Sequence, residues 1–161
     1  MKKLGAEFAR FVRGFGFAAR GIALCIREER NFRFHLCAAG YVTVLGALAG
    51  FSRERFVLLF LCFGLMLGAE GFNTAIEGLC DRATRKWEES IRNIKDVAAG
   101  AVLCCALACV GVGIALFGEK TVWAAIGRQL AVHPAAGIGL LVSLPIALGF
   151  IFLIGSKEDE D

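Results

Sequence analysis

Apolar residues run through this chain in long blocks, and the charged residues that divide them fall in a regular order. Residues 2–33 are broken by Arg10, Arg13, Arg20 and Arg27. On a helical wheel turning about 100° per residue these four share one face, while Leu4, Phe8, Phe11, Phe15, Ile22 and Ile26 share the opposite one. The pattern predicts an amphipathic helix lying in a membrane interface, arginines toward phosphate and phenylalanines toward acyl chains. The same interruptions exclude the uninterrupted core of a secretory signal. Two positions depart from the wheel. Phe17 stands near the arginine face, and Glu29 falls on the apolar side if the helix reaches it. A buried acid there requires a cation, a metal or an arginine; a helix ending by Arg27 leaves it solvated.

Beyond this helix the blocks are long enough to cross a bilayer. A first span is expected from Phe34 to Gly50, then a tight polar connection at 52–55. A second runs from Phe56 to Cys80. Residues 82–96 form a charged loop or short helix, and Val97 to Gly118 gives a third span without a charge. Residues 118–133 read as a mildly polar connector. Pro134 opens a fourth span ending near Ile154, with Pro145 as a kink point. The fold class is therefore all-α integral membrane: an N-terminal interfacial helix over 1–33, a three-span core over 34–118, and a connector, extra span and acidic tail over 119–161. Gly46 and Gly50, and Gly64 and Gly68, have the spacing that lets membrane helices approach closely.

Composition sharpens this reading at three points. A net charge of +3 is too small to argue for nucleic acid, whereas the placement of basic residues is informative. The N-terminal segment, the 82–96 segment and the tail carry 14 Lys and Arg against 4 in the other two connections. With four spans those three segments lie on one side, which the positive-inside rule makes cytoplasmic. The seven cysteines are an odd number without a CxxC pair, and His35 and His133 are far apart, so neither a zinc site nor a disulfide framework is supported. The cysteines read as small apolar residues. Gly14 and Gly16 follow no strand, and there is no phosphate-binding GxxxxGK[ST] loop, which excludes the common soluble nucleotide folds.

The chemistry gathers on the second span, where Glu70, Asn73, Glu77 and Asp81 project within roughly 80° of one another. A carboxylate at the centre of a span costs about 2.5–3.5 kcal/mol on insertion scales, so intramembrane acids point to function. Two carboxylates on one face can hold magnesium together with water and phosphate oxygens. A further acid in an apolar setting can act as a general base, and Lys95 beside Asp96 can meet phosphate on the same side. These parts suit phosphoryl transfer at the membrane surface, where catalysis is mainly positioning and charge neutralisation. They equally suit a small proton-coupled transporter built on intramembrane Glu70.

The sequence Glu70-Gly71-Phe72-Asn73-Thr74-Ala75-Ile76-Glu77 with Asp81, followed by Lys95-Asp96-Val97-Ala98-Ala99-Gly100-Ala101-Val102, resembles the prokaryotic diacylglycerol kinase family. So does Glu29-Arg30-Asn31-Phe32-Arg33-Phe34-His35 after an amphipathic helix; the resemblance covers residues 8 to 117. It implies a bacterial plasma-membrane lipid kinase, multi-pass, with its N-terminus and active site cytoplasmic. Its substrates would be ATP and a lipid hydroxyl, on diacylglycerol or undecaprenol. By the same resemblance Glu70 is the general base, Asn73 orients the site, and Glu29 and Glu77 hold the magnesium that accompanies ATP. Lys95 and Asp96 contact nucleotide, and Arg10 and Phe17 on the N-terminal helix match positions that contact nucleotide or lipid. The family is homotrimeric, with sites shared between subunits. Where relatives carry a Tyr-His step, this chain has Lys86-Trp87-Glu88.

Overall fold

A computed structural model describes residues 2–83 and 88–154, with side chains from residue 7 onward. Lys86, Trp87 and the acidic tail lie outside the described residues. Six helices follow one another: α1 (Lys2–Glu28), α2 (Arg30–Leu48), α3 (Arg53–Ala83), α4 (Glu89–Phe117), α5 (Lys120–Val132) and α6 (Pro134–Leu153). The described residues contain no strand. Three helices, α3, α4 and α6, are long and apolar enough to cross a membrane. The protein is all-α, with the composition of an integral membrane protein.

The first expected span is not among those three. The helix is there, but α2 opens on Arg30, Asn31 and Arg33 with His35 in its second turn, and these polar residues lower its apolar character. On α3 and α4 the surface confirms the reading in another way. Leu61, Leu65, Leu103, Leu107, Val110 and Ile114 are all more than half exposed. Apolar area on that scale is stable only against acyl chains or another apolar face.

Length positions the site. The 31 residues of α3 extend about 45 Å at 1.5 Å per residue, well beyond a hydrocarbon core of about 30 Å. Measured from Phe56, the first apolar residue after Arg55, that core is used up near Ile76. Were α3 to cross a bilayer from Phe56, Glu70 would stand about 9 Å inside the far edge of the hydrocarbon core, and Glu77 and Asp81 at or beyond that edge. The antiparallel α4 overhangs on the same side with Arg92, Lys95 and Asp96. Within the 82–96 segment the described residues 82–83 and 89–96 are helical, as the ends of α3 and α4.

The opposite end holds the best-packed apolar core. Phe51, Leu59, Leu116, Val122 and Ile126 cluster there, and the Phe51 and Phe117 rings lie 4.9 Å apart. The stretch expected to be a connector contributes two of these five residues, because Val122, Ile126 and the partly buried Leu130 recur every four residues and line one face of α5. Trp123 Nε1 donates to the Phe117 carbonyl at 2.7 Å, closing the α4–α5 turn.

Gly46 faces α3, where a Cβ would lie 3.5 Å from Leu59 Cδ1, whereas Gly50 serves the end of α2. Gly50 has φ 71°, and it ends α2 with its N–H on the Ala47 carbonyl while Phe51 N–H bonds the Gly46 carbonyl. That pair of bonds is a Schellman cap, which requires a left-handed residue. Gly46 leaves room for the Phe51 ring, since a Cβ there would lie 3.0 Å from Phe51 Cδ2. The seven cysteines are all free; only Cys80 is fully buried, and Cys104 is exposed on the apolar surface.

Gly50→Ala is expected to lower stability by about 1–2 kcal/mol, the cost of the left-handed conformation for an L-residue. Gly111→Ala, where an added Cβ meets nothing within 4 Å, serves as the control. Thermal unfolding of the two variants in detergent checks the difference, and equal midpoints would refute the cap.

Candidate active site

The acidic stripe of α3 is arranged in tiers, each answered by a different partner. Deepest is Glu70, only 3% exposed. His35, from the second turn of α2, places Nε2 3.4 Å from Glu70 Oε1. A turn above, Asn73 Nδ2 donates to Glu77 Oε1 at 2.8 Å, the i, i+4 spacing of one helix face. Highest is Asp81, whose Oδ1 accepts from Lys95 Nζ across to α4. Asp96 instead faces Arg92 on its own helix, at 3.6 Å.

One atom in this set is unanswered. Asn73 Oδ1 is buried without a hydrogen-bond partner, which costs roughly 1–3 kcal/mol in a folded protein. An amide oxygen turned into a polar corner beside a carboxylate is an acceptor for a donor or cation that binds there. Among the described residues no three His, Cys, Asp or Glu side chains gather closely enough to hold a metal alone. A cation at Glu77 would draw further ligands from phosphate and water, the usual habit of magnesium.

Glu29 reaches this region by a route the wheel did not foresee. The α1 helix stops at Glu28, and Glu29 is the extended residue (φ −106°, ψ 114°) that caps α2. It is thus held at a corner between two helices, half-buried, and not on the buried face of α1. Its charge acts on Glu70, as does that of Glu77. Burial and then the Glu29 carboxylate push the Cys25 thiol above its ordinary value, which puts the acid beside the end of α1 as well. Three carboxylates from three places in the chain therefore share one electrostatic neighbourhood.

Arg10 and Phe17 are not brought to it within the protomer. Residues 7–24 of α1 are all exposed; Arg10 pairs with Glu7 at 2.9 Å, and Arg20 lies over the Phe17 ring at 5.0 Å. Two residues that the wheel and spacing did not single out do matter. His35 pairs with Glu70, and Arg33 is buried nearby. The signal available was the polar start of α2, where Arg33 and His35 in its first two turns interrupt an apolar run as the stripe does on α3.

Beneath the polar tiers lies an apolar cavity of about 280 Å³ between α2, α3 and α4, with His35 at its polar limit and Ala38, Val42, Phe63, Met66, Val110 and Phe117 among its walls. Polar tiers above an apolar slot suit group transfer and transport alike, and the matches to known proteins decide for this chain. It belongs to the prokaryotic diacylglycerol kinase family, whose model matches residues 16–117. The undecaprenol kinase of Bacillus subtilis (strain 168) is 40% identical over 114 residues, which is 71% of this chain and 93% of that protein. A diacylglycerol kinase of a Synechocystis species is 33% identical over 100 residues, 62% of this chain and 57% of its own length. A diacylglycerol kinase of a Sinorhizobium species is 33% identical over 76 residues, 47% of this chain and 56% of its own length. No solved structure gives a significant match. Family membership decides for the kinase over the transporter, and with it for the use of ATP.

His35→Phe keeps the ring volume and removes Nε2 from Glu70. Turnover is expected to fall about ten- to hundredfold, in the range of an acid–base partner's contribution. Lipid phosphorylation by the micelle-purified variant measures it, and wild-type turnover would show that the His35 contact is only structural.

Proposed function

We propose that the protein transfers the γ-phosphate of ATP to the hydroxyl of a membrane lipid, with Glu70 as the general base. The observation that carries this reading is the position of Glu70: buried and paired with His35, which lines the polar limit of an apolar cavity. A lipid whose chain occupies the slot presents its hydroxyl near Glu70, which accepts the proton as the oxygen attacks phosphorus. Asn73 orients Glu77 through their 2.8 Å bond. Glu29 and Glu77 are the residues that would hold magnesium, and the unanswered Asn73 Oδ1 fits a cation or its water at that corner. When bound, magnesium neutralises charge on the phosphate oxygens during transfer.

Lys95 and Asp96 face the nucleotide in this reading. Lys95 then exchanges Asp81 for phosphate, which gives Asp81 the role of keeping the lysine in place when no nucleotide is bound. Arg10 and Phe17 act on a nucleotide or lipid only if the exposed part of α1 meets it from the membrane surface or from a neighbouring subunit. Homotrimeric assembly is part of the proposal. Gly64, Gly68, Ala69, Ala98 and Ala101 line an open groove of about 410 Å³ between α3 and α4, where nothing in the protomer lies within 4 Å of either glycine's Cβ position. Small residues of this kind allow close helix approach, and Asn73 borders the same groove, so a neighbouring helix there stands next to the site. The charge asymmetry of the sequence supports a bacterial plasma membrane location with the site and N-terminus cytoplasmic.

Of the two lipids, a polyisoprenyl alcohol is favoured over diacylglycerol. The undecaprenol kinase of Bacillus subtilis is the more similar relative in both identity and coverage.

A mixed-micelle assay offering undecaprenol and diacylglycerol with ATP and magnesium is expected to yield a phosphorylated lipid, with undecaprenol the better substrate. Glu70→Gln should abolish transfer, a loss of at least about a hundredfold for a general base. Folded protein that phosphorylates neither lipid, or a fully active Glu70→Gln variant, would sink the assignment.

A further inference from the structure

Arg33 has no part in the chemistry above, yet it is only 2% exposed. Its guanidinium donates four hydrogen bonds to main-chain carbonyls. Nη1 reaches Ile26 at 3.0 Å and Arg27 at 3.1 Å, while Nε and Nη2 reach Ile151 at 3.2 and 3.0 Å. Those carbonyls belong to the last turns of α1 and α6, the groups a helix leaves without intrahelical partners. Each helix C-terminus carries about half a negative charge. One buried cation between two such ends is therefore offset by about one opposite charge, supplied by the main chain.

This clasp has a direction. Arg33 sits in the first turn of α2, with its own N–H on the Glu29 carbonyl at 3.2 Å. Gripping the end of α1 on one side and the end of α6 on the other, it closes around the corner that carries Glu29. The grip on α6 is reinforced along α2: Tyr41 and Ser143 hydroxyls lie 2.9 Å apart, and the Arg30 guanidinium is 5.9 Å from the Phe152 ring. Yet α6 lies wholly beyond the residues matched by the family.

We propose that Arg33 is a positioning residue that ties the end of α6 to the α1–α2 corner, so that this added C-terminal helix sets where Glu29 stands relative to Glu70. The inference rests on the role given to Glu29 above. Because Glu29 is the extended cap between two helices and not part of either, its place depends on what fixes their mutual angle. Arg33 does so from inside, and α6 supplies the acceptor that keeps it there.

The test uses the purified full chain in micelles, with magnesium titrated at saturating lipid and ATP. Arg33→Lys keeps the charge, but an ammonium cannot fork between two helix ends. The magnesium concentration for half-maximal rate is expected to rise about tenfold, as for loss of a group that orients a metal ligand, while the KM for lipid stays unchanged. In parallel, hydrogen exchange without nucleotide should accelerate together at residues 26–33 and 148–153. An unchanged magnesium requirement, or faster exchange at only one of the two segments, overturns the proposal. If Arg33→Lys does not fold, Phe152→Ala replaces it; its ring is exposed, and the same two changes are expected at smaller size, their absence again overturning the proposal. Wild-type protein and Glu29→Gln separate the premises. If Glu29→Gln leaves the magnesium requirement unaltered, the metal role of Glu29 fails, and the paired exchange measurement alone decides whether α6 is tied to the corner.

Discussion

A carboxylate inside an apolar bundle is tolerated only where something answers it, and the contact between Glu70 and His35 is the point from which this structure is built outward. It joins α2 to α3 at the depth where the membrane interior gives way to polar surroundings. Everything on the polar side continues the same logic with weaker burial: Asn73 answers Glu77, and Lys95 answers Asp81. Everything on the apolar side is free of such demands, and there the helices part enough to leave a cavity. The change from paired charges to open apolar space takes place across about one helical turn of α3.

Two ends of the bundle are thus held by different forces. At one end Phe51, Leu59, Leu116, Val122 and Ile126 pack as an apolar core, held by close van der Waals contact. At the other, hydrogen bonds and charge hold the helices, with Arg33 and Glu70 as the buried members. The division is useful. A core of close-packed apolar side chains keeps one geometry, whereas polar pairs such as Lys95 with Asp81 can exchange one partner for another as ligands arrive.

What could be read from the sequence follows the range of each signal. The acidic stripe was legible because it depends only on helical periodicity and on the cost of acids in apolar runs. The helices α3, α4 and α6 were legible for the same reason. His35 facing Glu70 was not, since it depends on the register of α2 against α3, which no single-helix pattern contains. Glu29 was left open between an apolar face and a solvated helix end because a wheel carries no information about where a helix stops, and no glycine or proline marks that break. The helix α5 was hidden by its shortness and by Lys120 and Arg128, although its apolar residues recur every four positions. Gly46 and Gly50 had the spacing of a crossing motif, but the Schellman cap that uses them appears only once φ of Gly50 and the Phe51 ring are seen.

The overhang of α3 has a meaning beyond length. Were α3 to span the bilayer, Arg53 and Arg55 would hold one end at one surface, and Asp81 and Arg82 would hold the other beyond the opposite surface. A helix tethered at both ends cannot slide, so Glu70 would be held at a set height in the bilayer. Thickening or thinning the hydrocarbon layer must be absorbed by tilt or by the lipid itself. The helix is in effect a ruler with the carboxylate as its mark, and an alcohol that rests at that height need not be lifted from its leaflet to react.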